Sequence, residues 1–330
     1  MRVALIGLGF FAEYHADAWR RLAPHMLVAG VDPDPQARAR FCLRWPDLPL
    51  FGQLPEALVS TRPDIVDIVT RPEHHTDLTR IALAAGSHVI CQKPLALSRD
   101  DCRSLVDDAR DRGKRLLVHD NWRFQPWYGV IKRCIDRGEI GRPFMAHFRV
   151  RAGDGRGGEP FPRQPYFRAM QRFFFLETGI HFLDVTRYLF GEVSSLRAMR
   201  GQVRTDIAGE DLGVAIMTAG LGTLVILDGN RWTESPPESE NRAFCTLTIE
   251  GTAGQLSLAE SGAVAIKLIG APQQTTYVPS GQALVGYRGD SVFLTCAHLV
   301  QAIESDAPSP LDADSYIETM ELAFMTYDQL

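Results

Sequence analysis

The chain opens on an apolar run, Val3-Ala-Leu-Ile6, that breaks at Gly7-Leu-Gly9-Phe10-Phe11-Ala12 and resumes with helical spacing. Strand, glycine turn, helix: this order constrains the fold more than any other stretch. Gly7 reaches backbone angles closed to other residues and permits a tight turn. Gly9 removes the Cβ where a pyrophosphate approaches, and Ala12 is small enough for the helix to pack on the strand. The helix then aims free N–H groups and its positive dipole end at that phosphate. Such turns also occur as plain connectors, so the context decides. Asp32 ends the next apolar run, Leu27–Val31, where a carboxylate accepts both ribose hydroxyls of an adenosine and repels a 2′-phosphate. Asp32-Pro-Asp-Pro35 also spells a turn, but no arginine adjoins it, so NAD is expected rather than NADP.

Up to residue 120, short apolar runs (Val3–Ile6, Leu27–Val31, Ile65–Val69, His88–Cys91, Leu116–Val118) alternate with helical patterns. That alternation predicts an α/β domain, a doubly wound parallel sheet covered on both faces. Ser98 with Asp101 reads as an N-cap for a helix over 99–112. After one more helix, Pro126–Arg137, the chain turns β-rich, with period-two stretches such as Phe244-Cys-Thr-Leu-Thr-Ile-Glu250 that suit a sheet with one buried face. Two helical patterns, 290–305 and 312–330, close it. A chain of 330 residues suggests two domains, placed at 1–120 and 121–330.

A net charge of −5 gives no reason to expect nucleic acid or a membrane surface as partner. The six cysteines are scattered with no C-x-x-C pair, which fits reduced thiols and no zinc centre. The most apolar stretch, Leu212–Leu227, is broken by Gly213, Gly220 and Gly222 and reads as a hairpin. With the first strand starting at residue 2, no leader is expected. The reading is a soluble cytoplasmic protein without a metal.

Two stretches are chemically dense. Thr70-Arg-Pro72-Glu-His74-His75 and Gln92-Lys93-Pro94 follow strands, and ligands bind outside the carboxyl ends of strands in such sheets. His75 suits a helix-starting, cofactor-side position; the adjacent histidines point apart and lack a third metal ligand. Lys93 admits two readings, a surface lysine or a partly desolvated one holding a substrate oxygen. The second stretch holds Tyr166, Arg168 and Arg172, then Glu177-Thr-Gly-Ile-His181-Phe-Leu-Asp184. In a helix starting near Thr178, Glu177, His181 and Asp184 share a face. A carboxylate beside the imidazole suits a general base, and a buried, hydrogen-bonded structural histidine fits as well. The intervening segment Ala152–Pro165 is too poor in apolar residues to pack a core and reads as a mobile surface loop or lid.

In order and spacing these motifs resemble the glucose–fructose oxidoreductase / inositol dehydrogenase (Gfo/Idh/MocA) family. The pieces are Gly7-x-Gly9-x-x-Ala12, Thr70-x-Pro72-x-x-His75, Gln92-Lys93-Pro94 where the family usually reads Glu-Lys-Pro, Asn121-Trp-Arg123-Phe-x-Pro126, Gly138-x-Ile-Gly141, Glu177-x-Gly179-x-His181-x-x-Asp184 and Ile249-x-Gly251-x-x-Gly254. The resemblance implies a Rossmann domain and an α+β domain whose large, mainly antiparallel open sheet often forms a subunit interface, hence a homo-oligomer, dimer or tetramer. It implies bound nicotinamide dinucleotide and oxidation of a hydroxyl on a sugar, inositol or related polyol. Lys93 then orients the reacting oxygen, His181 is the general acid/base, and Glu177 stands where the family often has an aspartate. The cofactor set becomes Gly7, Gly9, Phe10, Phe11, Ala12, Asp32, Thr70, Pro72, His75, Gln92, Lys93 and Asn121, and the substrate set Arg123, Tyr166, Arg168, Arg172 and His181. The surplus of arginines admits a sugar acid as substrate. Two rivals stand beside a dehydrogenase: a redox-neutral enzyme that cleaves glycosides with its dinucleotide recycled, and a dinucleotide-binding regulator without turnover. Gln92, which removes a carboxylate beside Lys93, is the departure that keeps the regulator in view.

Overall fold

The computed structural model describes residues 1–233, 243–277 and 287–328. They fall into two compact units, Met1–Asn121 with Val292–Met320, and Trp122–Ser291 with Glu321–Leu330.

In the first unit the chain runs β1 (Val3–Ile6), α1 (Ala12–Leu22), β2 (Leu27–Val31), α2 (Pro35–Arg44), β3 (Leu50–Phe51), α3 (Leu54–Thr61), β4 (Ile65–Ile68), α4 (His75–Ala84), β5 (His88–Gln92), α5 (Arg99–Asp111) and β6 (Leu116–His119). The strands pair in parallel in the order β3-β2-β1-β4-β5-β6. β1, β4 and β6 are buried at every position. A sheet covered on both faces demands this, which is why these strands read as mainly apolar runs instead of alternations, with Asp67 and His119 as the buried polar exceptions. The strand order reverses between β1 and β4, so the loops after those strands lie together. A Cβ on Gly7 would meet Val69 O at 2.7 Å and Thr70 Cγ2 at 2.9 Å. Ser98 caps α5 as its sequence predicts, accepting the Asp101 N–H at 3.1 Å.

The second unit contains α6 (Pro126–Asp136), β7 (Pro143–Arg151), α7 (Ile180–Phe190), β8 (Val193–Gly201), β9 (Leu212–Ala219), β10 (Thr223–Asn230), β11 (Cys245–Gly251), β12 (Gly254–Leu258), β13 (Val264–Leu268) and β14 (Thr275–Tyr277). Their sheet runs β14-β13-β12-β11-β7-β10-β9-β8, antiparallel except for the β7–β10 pair. The expected two-part fold class, a parallel Rossmann-type sheet and a large, mainly antiparallel one, is what forms. The apolar stretch from Leu212 is the β9–β10 hairpin, with Gly220 and Gly222 at positive φ in its turn. No helix of the described residues is long and apolar enough to cross a membrane.

Three expectations change. The last two helices, α8 (Ser291–Ser305) and α9 (Ala313–Asp328), do not simply extend a second domain. Residues 292–320 group with the first unit because Val118 N–H donates to Leu311 O at 2.8 Å and Arg115 Nη2 grips both oxygens of Asp312 at 2.6 and 2.8 Å. The helix expected from Thr178 begins earlier, as a π-helical turn over Phe174–Gly179 that runs into α7. The segment Ala152–Pro165 is not a loose lid. Phe161 is buried edge-on against Phe167 and Phe173, and Asp154 binds Arg231 through two oxygens at 2.9 and 2.5 Å. One aromatic residue and one acid supply the anchoring that its low apolar content seemed to forbid. The polar stretch Gly229–Arg242 lies from residue 234 onward outside the described residues.

Candidate functional site

The glycine turn, Asp32 and the Lys93 turn lie in the first unit. Gly7 has φ 86°, the conformation the turn requires, and its N–H donates to Val31 O at 2.8 Å. Around Gly9 nothing would lie within 4 Å of an added Cβ, so the backbone there faces open space. α1 starts with no side-chain cap, and Ala12 N–H and Tyr14 N–H turn back on the carbonyls of Gly9 and Phe11, each at 3.2 Å. Asp32 is held in place by its neighbours: Leu8 N–H and Asp34 N–H each donate to its carboxylate at 2.8 Å. The open backbone at Gly9 and the fixed Asp32 carboxylate are features that fit an adenine dinucleotide. Phe10 and Phe11 flank the turn, and Tyr14 packs on both rings. A residue the sequence reading missed stands beside Asp32: Arg38 of α2 donates through Nη1 to the carbonyls of Asp32 and Pro33 at 2.6 and 3.1 Å. Six positions separate it from Asp32, but the helical turn brings it back.

Lys93 is partly buried at the carboxyl end of β5, in a cis Lys93–Pro94 peptide. Both its chain neighbours are fixed. The Gln92 amide nitrogen lies 2.9 Å from His15 Nε2 and 2.9 Å from His119 Nδ1. On the other side, His75 Nδ1 lies 2.8 Å from Pro94 O and its Nε2 3.2 Å from Thr70 O. Burial pushes the His75 pKa down to about 4, so the neutral ring keeps one proton, given to the nearer carbonyl, Pro94. His75 is fully buried and ties together the loops after β4 and β5, whereas His74 is exposed. Pro72 is buried in the 3-10 turn Pro72–His74, and Asn121 is buried at the end of the unit. His15, His119 and Cys296 place ligand atoms within 4.8 Å of one another. Both nitrogens of each ring already face a partner in Asp67, Gln92 or Cys296, so the group reads as a hydrogen-bond network.

The stretch holding Glu177, His181 and Asp184 lies in the second unit. His181 is buried near the start of α7 with its ring stacked on Trp122, centroids 4.4 Å apart and planes 8° from parallel. Phe182 and Phe244 pack edge-on against the same indole. Asp184 pairs with Arg123, through Nε at 2.7 Å and through Nη2. Of the residues expected to share a face, Asp184 thus holds a facing guanidinium. Arg123, assigned to substrate, is thereby buried in a two-point ion pair, with the Tyr188 ring 5.5 Å from its guanidinium carbon. Glu177 sits in the π-turn, where Thr178 Oγ1 donates to it at 2.6 Å and Arg231 Nη1 at 2.9 Å.

Arg231 is the second residue that sequence reasoning missed. It is buried, bonded to Asp154, Glu177 and Thr178, and lies 5.1–5.5 Å from the rings of Phe161, Phe167 and Phe173. Its only signal was an arginine following directly on a strand that ends Gly229-Asn230. The remaining substrate candidates have other partners. Tyr166 packs on Phe167 and accepts from Gln164 at 3.1 Å. Arg168 lies 3.8 Å from Asp206, and Arg172 lies over the rings of Phe324 and Tyr327.

Comparison with known proteins agrees with the fold of each unit. Residues 1–120 match the model of an oxidoreductase family with an NAD-binding Rossmann fold, and residues 128–257 that of the GFO/IDH/MocA C-terminal domain. A D-apiose dehydrogenase from Paraburkholderia graminis is 35% identical over 225 residues, 68% of this chain and 59% of that one. The match thus spans less than two thirds of that relative's length. Another D-apiose dehydrogenase, from Rhizobium rhizogenes, is 30% identical over 79% of this chain and 74% of its own. An oxidoreductase from Agrobacterium radiobacter, solved with NAD+, L-tartaric acid and magnesium, superposes with a TM-score of 0.90 at 27% identity, covering 99% of this chain and 95% of that one. With the glycine turn, the Asp32 carboxylate and the two sheets in place, the chain belongs to the Gfo/Idh/MocA family of oxidoreductases, with an NAD-binding Rossmann domain.

Proposed function

We propose that the protein is an NAD-dependent dehydrogenase that oxidises a hydroxyl of a sugar, inositol or related polyol. The observation that carries this is the Lys93 turn: a partly buried lysine at a strand end of the nucleotide-binding sheet, both chain neighbours fixed by buried histidines. D-apiose dehydrogenases among the relatives support the substrate class. Bound NAD supplies a hydride acceptor. His181 takes the hydroxyl proton as the carbinol carbon gives up its hydride, and the C–O bond becomes a carbonyl. Lys93 donates to that oxygen and stabilises the charge that gathers on it. Trp122 holds the His181 ring by stacking, and Arg231 donates to Glu177, four residues before His181 in the chain. A neutral polyol is preferred over a sugar acid because Arg123 and Arg168 face carboxylates and Arg172 lies on aromatic rings. We assign the outer face of the second unit's sheet to a subunit interface between copies of this chain.

A panel of polyols, sugars and sugar acids at mildly alkaline pH, with NAD and NADP in parallel, tests the reaction by the absorbance of reduced cofactor. Turnover with NAD on a polyol is expected. Product without net reduced cofactor would replace this reading with the redox-neutral one. NAD binding without turnover across the panel would replace it with the regulator. On the active substrate, Lys93→Met and His181→Ala should each lower kcat by about 10²–10⁴-fold, with NAD affinity little changed.

A further inference from the structure

Gln92 sits among groups that leave little freedom in how its amide is used. It is 7% exposed, and its nitrogen is 2.9 Å from both His15 Nε2 and His119 Nδ1. An amide nitrogen carries two hydrogens and no lone pair to accept with, so both contacts are donations from Gln92. Both imidazoles must then present a lone pair to it, which fixes the tautomers. His15 carries its proton on Nδ1 and donates to Asp67 Oδ2 at 2.8 Å, an oxygen that also accepts Trp19 Nε1–H at 2.6 Å. His119 carries its proton on Nε2, 3.7 Å from Cys296 Sγ. The two rings lie 4.2 Å apart, and burial together with His15 holds the His119 pKa well below its usual value. The titratable groups facing this pair are Asp67 from β4, Asp120 after β6 and Cys296 from α8. Every member belongs to the first unit.

An ionised glutamate at position 92 has no hydrogen to give. It would set a carboxylate against two lone pairs, and one or both histidines would have to gain a proton or exchange tautomers. We infer that Gln92 is a positioning residue for Lys93: its amide locks two uncharged histidines and so pins the turn that presents the lysine to α1, the helix that starts at the glycine turn. The glutamine therefore compensates for the missing carboxylate by a different chemistry, a neutral lock instead of a charge beside the lysine. This inference rests on the reading of Lys93 as the group that meets the reacting oxygen.

The test compares Gln92→Glu and Gln92→Ala with the native enzyme and with Lys93→Met, in kcat, KM for NAD and substrate, melting temperature, and the pH profile of kcat. Gln92→Ala should lose about tenfold or more in kcat through displacement of the lysine, with KM for NAD within about twofold. Gln92→Glu should gain a pH dependence absent from the native enzyme. The carboxylate raises the pKa of the histidine it faces, so the ion pair forms at low pH and kcat falls as pH rises through that pKa. A Gln92→Glu profile that superimposes on the native one, or a Gln92→Ala variant that loses melting temperature alone, overturns the inference. If Lys93→Met keeps native turnover, the reading of Lys93 fails instead, and the two failures are told apart.

Discussion

At the scale of single residues, the least expected assignments belong to groups whose partners lie far away in sequence. His75 has the position of a cofactor ligand, yet its ring is spent on backbone carbonyls. That has a measurable consequence. The folded ring stays neutral down to about pH 4, while in the unfolded chain it takes a proton near pH 6.5. Between those values the unfolded state binds more protons, so stability falls as pH falls through the window and is flat above it. His119 acts in the same direction. Urea midpoints at pH 7.5, 5.5 and 4.5 should show this acid loss, reduced in His75→Gln by up to roughly 3 kcal/mol. Equal slopes in the two proteins would disprove the assignment. Arg231 shows the same lesson for charge: one guanidinium satisfies two carboxylates and a hydroxyl that sequence spacing could not connect.

At the scale of elements, the π-turn Phe174–Gly179 is seated by two strands. Gly213 of β9 and Gly229 of β10 are directly paired. An added Cβ on Gly229 would lie 2.0 Å from Phe174 Cζ, and one on Gly213 would lie 2.4 Å from Phe175 Cε2. The glycine pair is thus a slot in the sheet for two buried rings, and it sets where the chain enters α7 and hence where His181 begins. Gly229→Ala should destabilise by about 1–3 kcal/mol through overpacking. Gly158→Ala, with nothing within 4 Å of the new Cβ, serves as the neutral control. Thermal melts that coincide for the two would show that the slot has room to spare. The sequence presents Gly213 as a break within an apolar stretch and Gly229 as the start of a polar one. Nothing in it pairs them with the phenylalanines, because that match depends on strand register.

At the scale of the whole molecule, the outer face of the second unit's sheet carries more apolar surface than a face in water needs. Met199 is 79% exposed and Ile216 47%, with Val214 and Leu224 also exposed, and Ile216 pairs directly with Ile226. An exposed apolar patch of this kind is what the proposed subunit interface needs. The native protein should sediment as a dimer or larger at micromolar concentration, and Ile216→Asp should shift it to monomer with its melting curve otherwise cooperative. A monomeric native protein would remove the assignment of this face.

By itself the sequence determined what local periodicity and turn chemistry can encode. The parallel strands from β1 to β6, save the two-residue β3, are legible because strands buried on both faces must be mainly apolar. Gly7 and Asp32 are legible because a tight turn and a ribose-facing strand end each demand a particular residue at a fixed spacing. The hairpin and the β-rich half are legible from alternation. Only the tertiary structure decided which charges meet: Arg123 with Asp184, Arg231 with Asp154 and Glu177, Arg115 with Asp312, and Gln92 with two histidines. It also decided that residues 292–320 return to the first unit. The physical reason is range. Hydrophobic period and backbone geometry act over a few residues and leave a local imprint, whereas a buried charge or amide is satisfied by whatever group the packed chain brings to it.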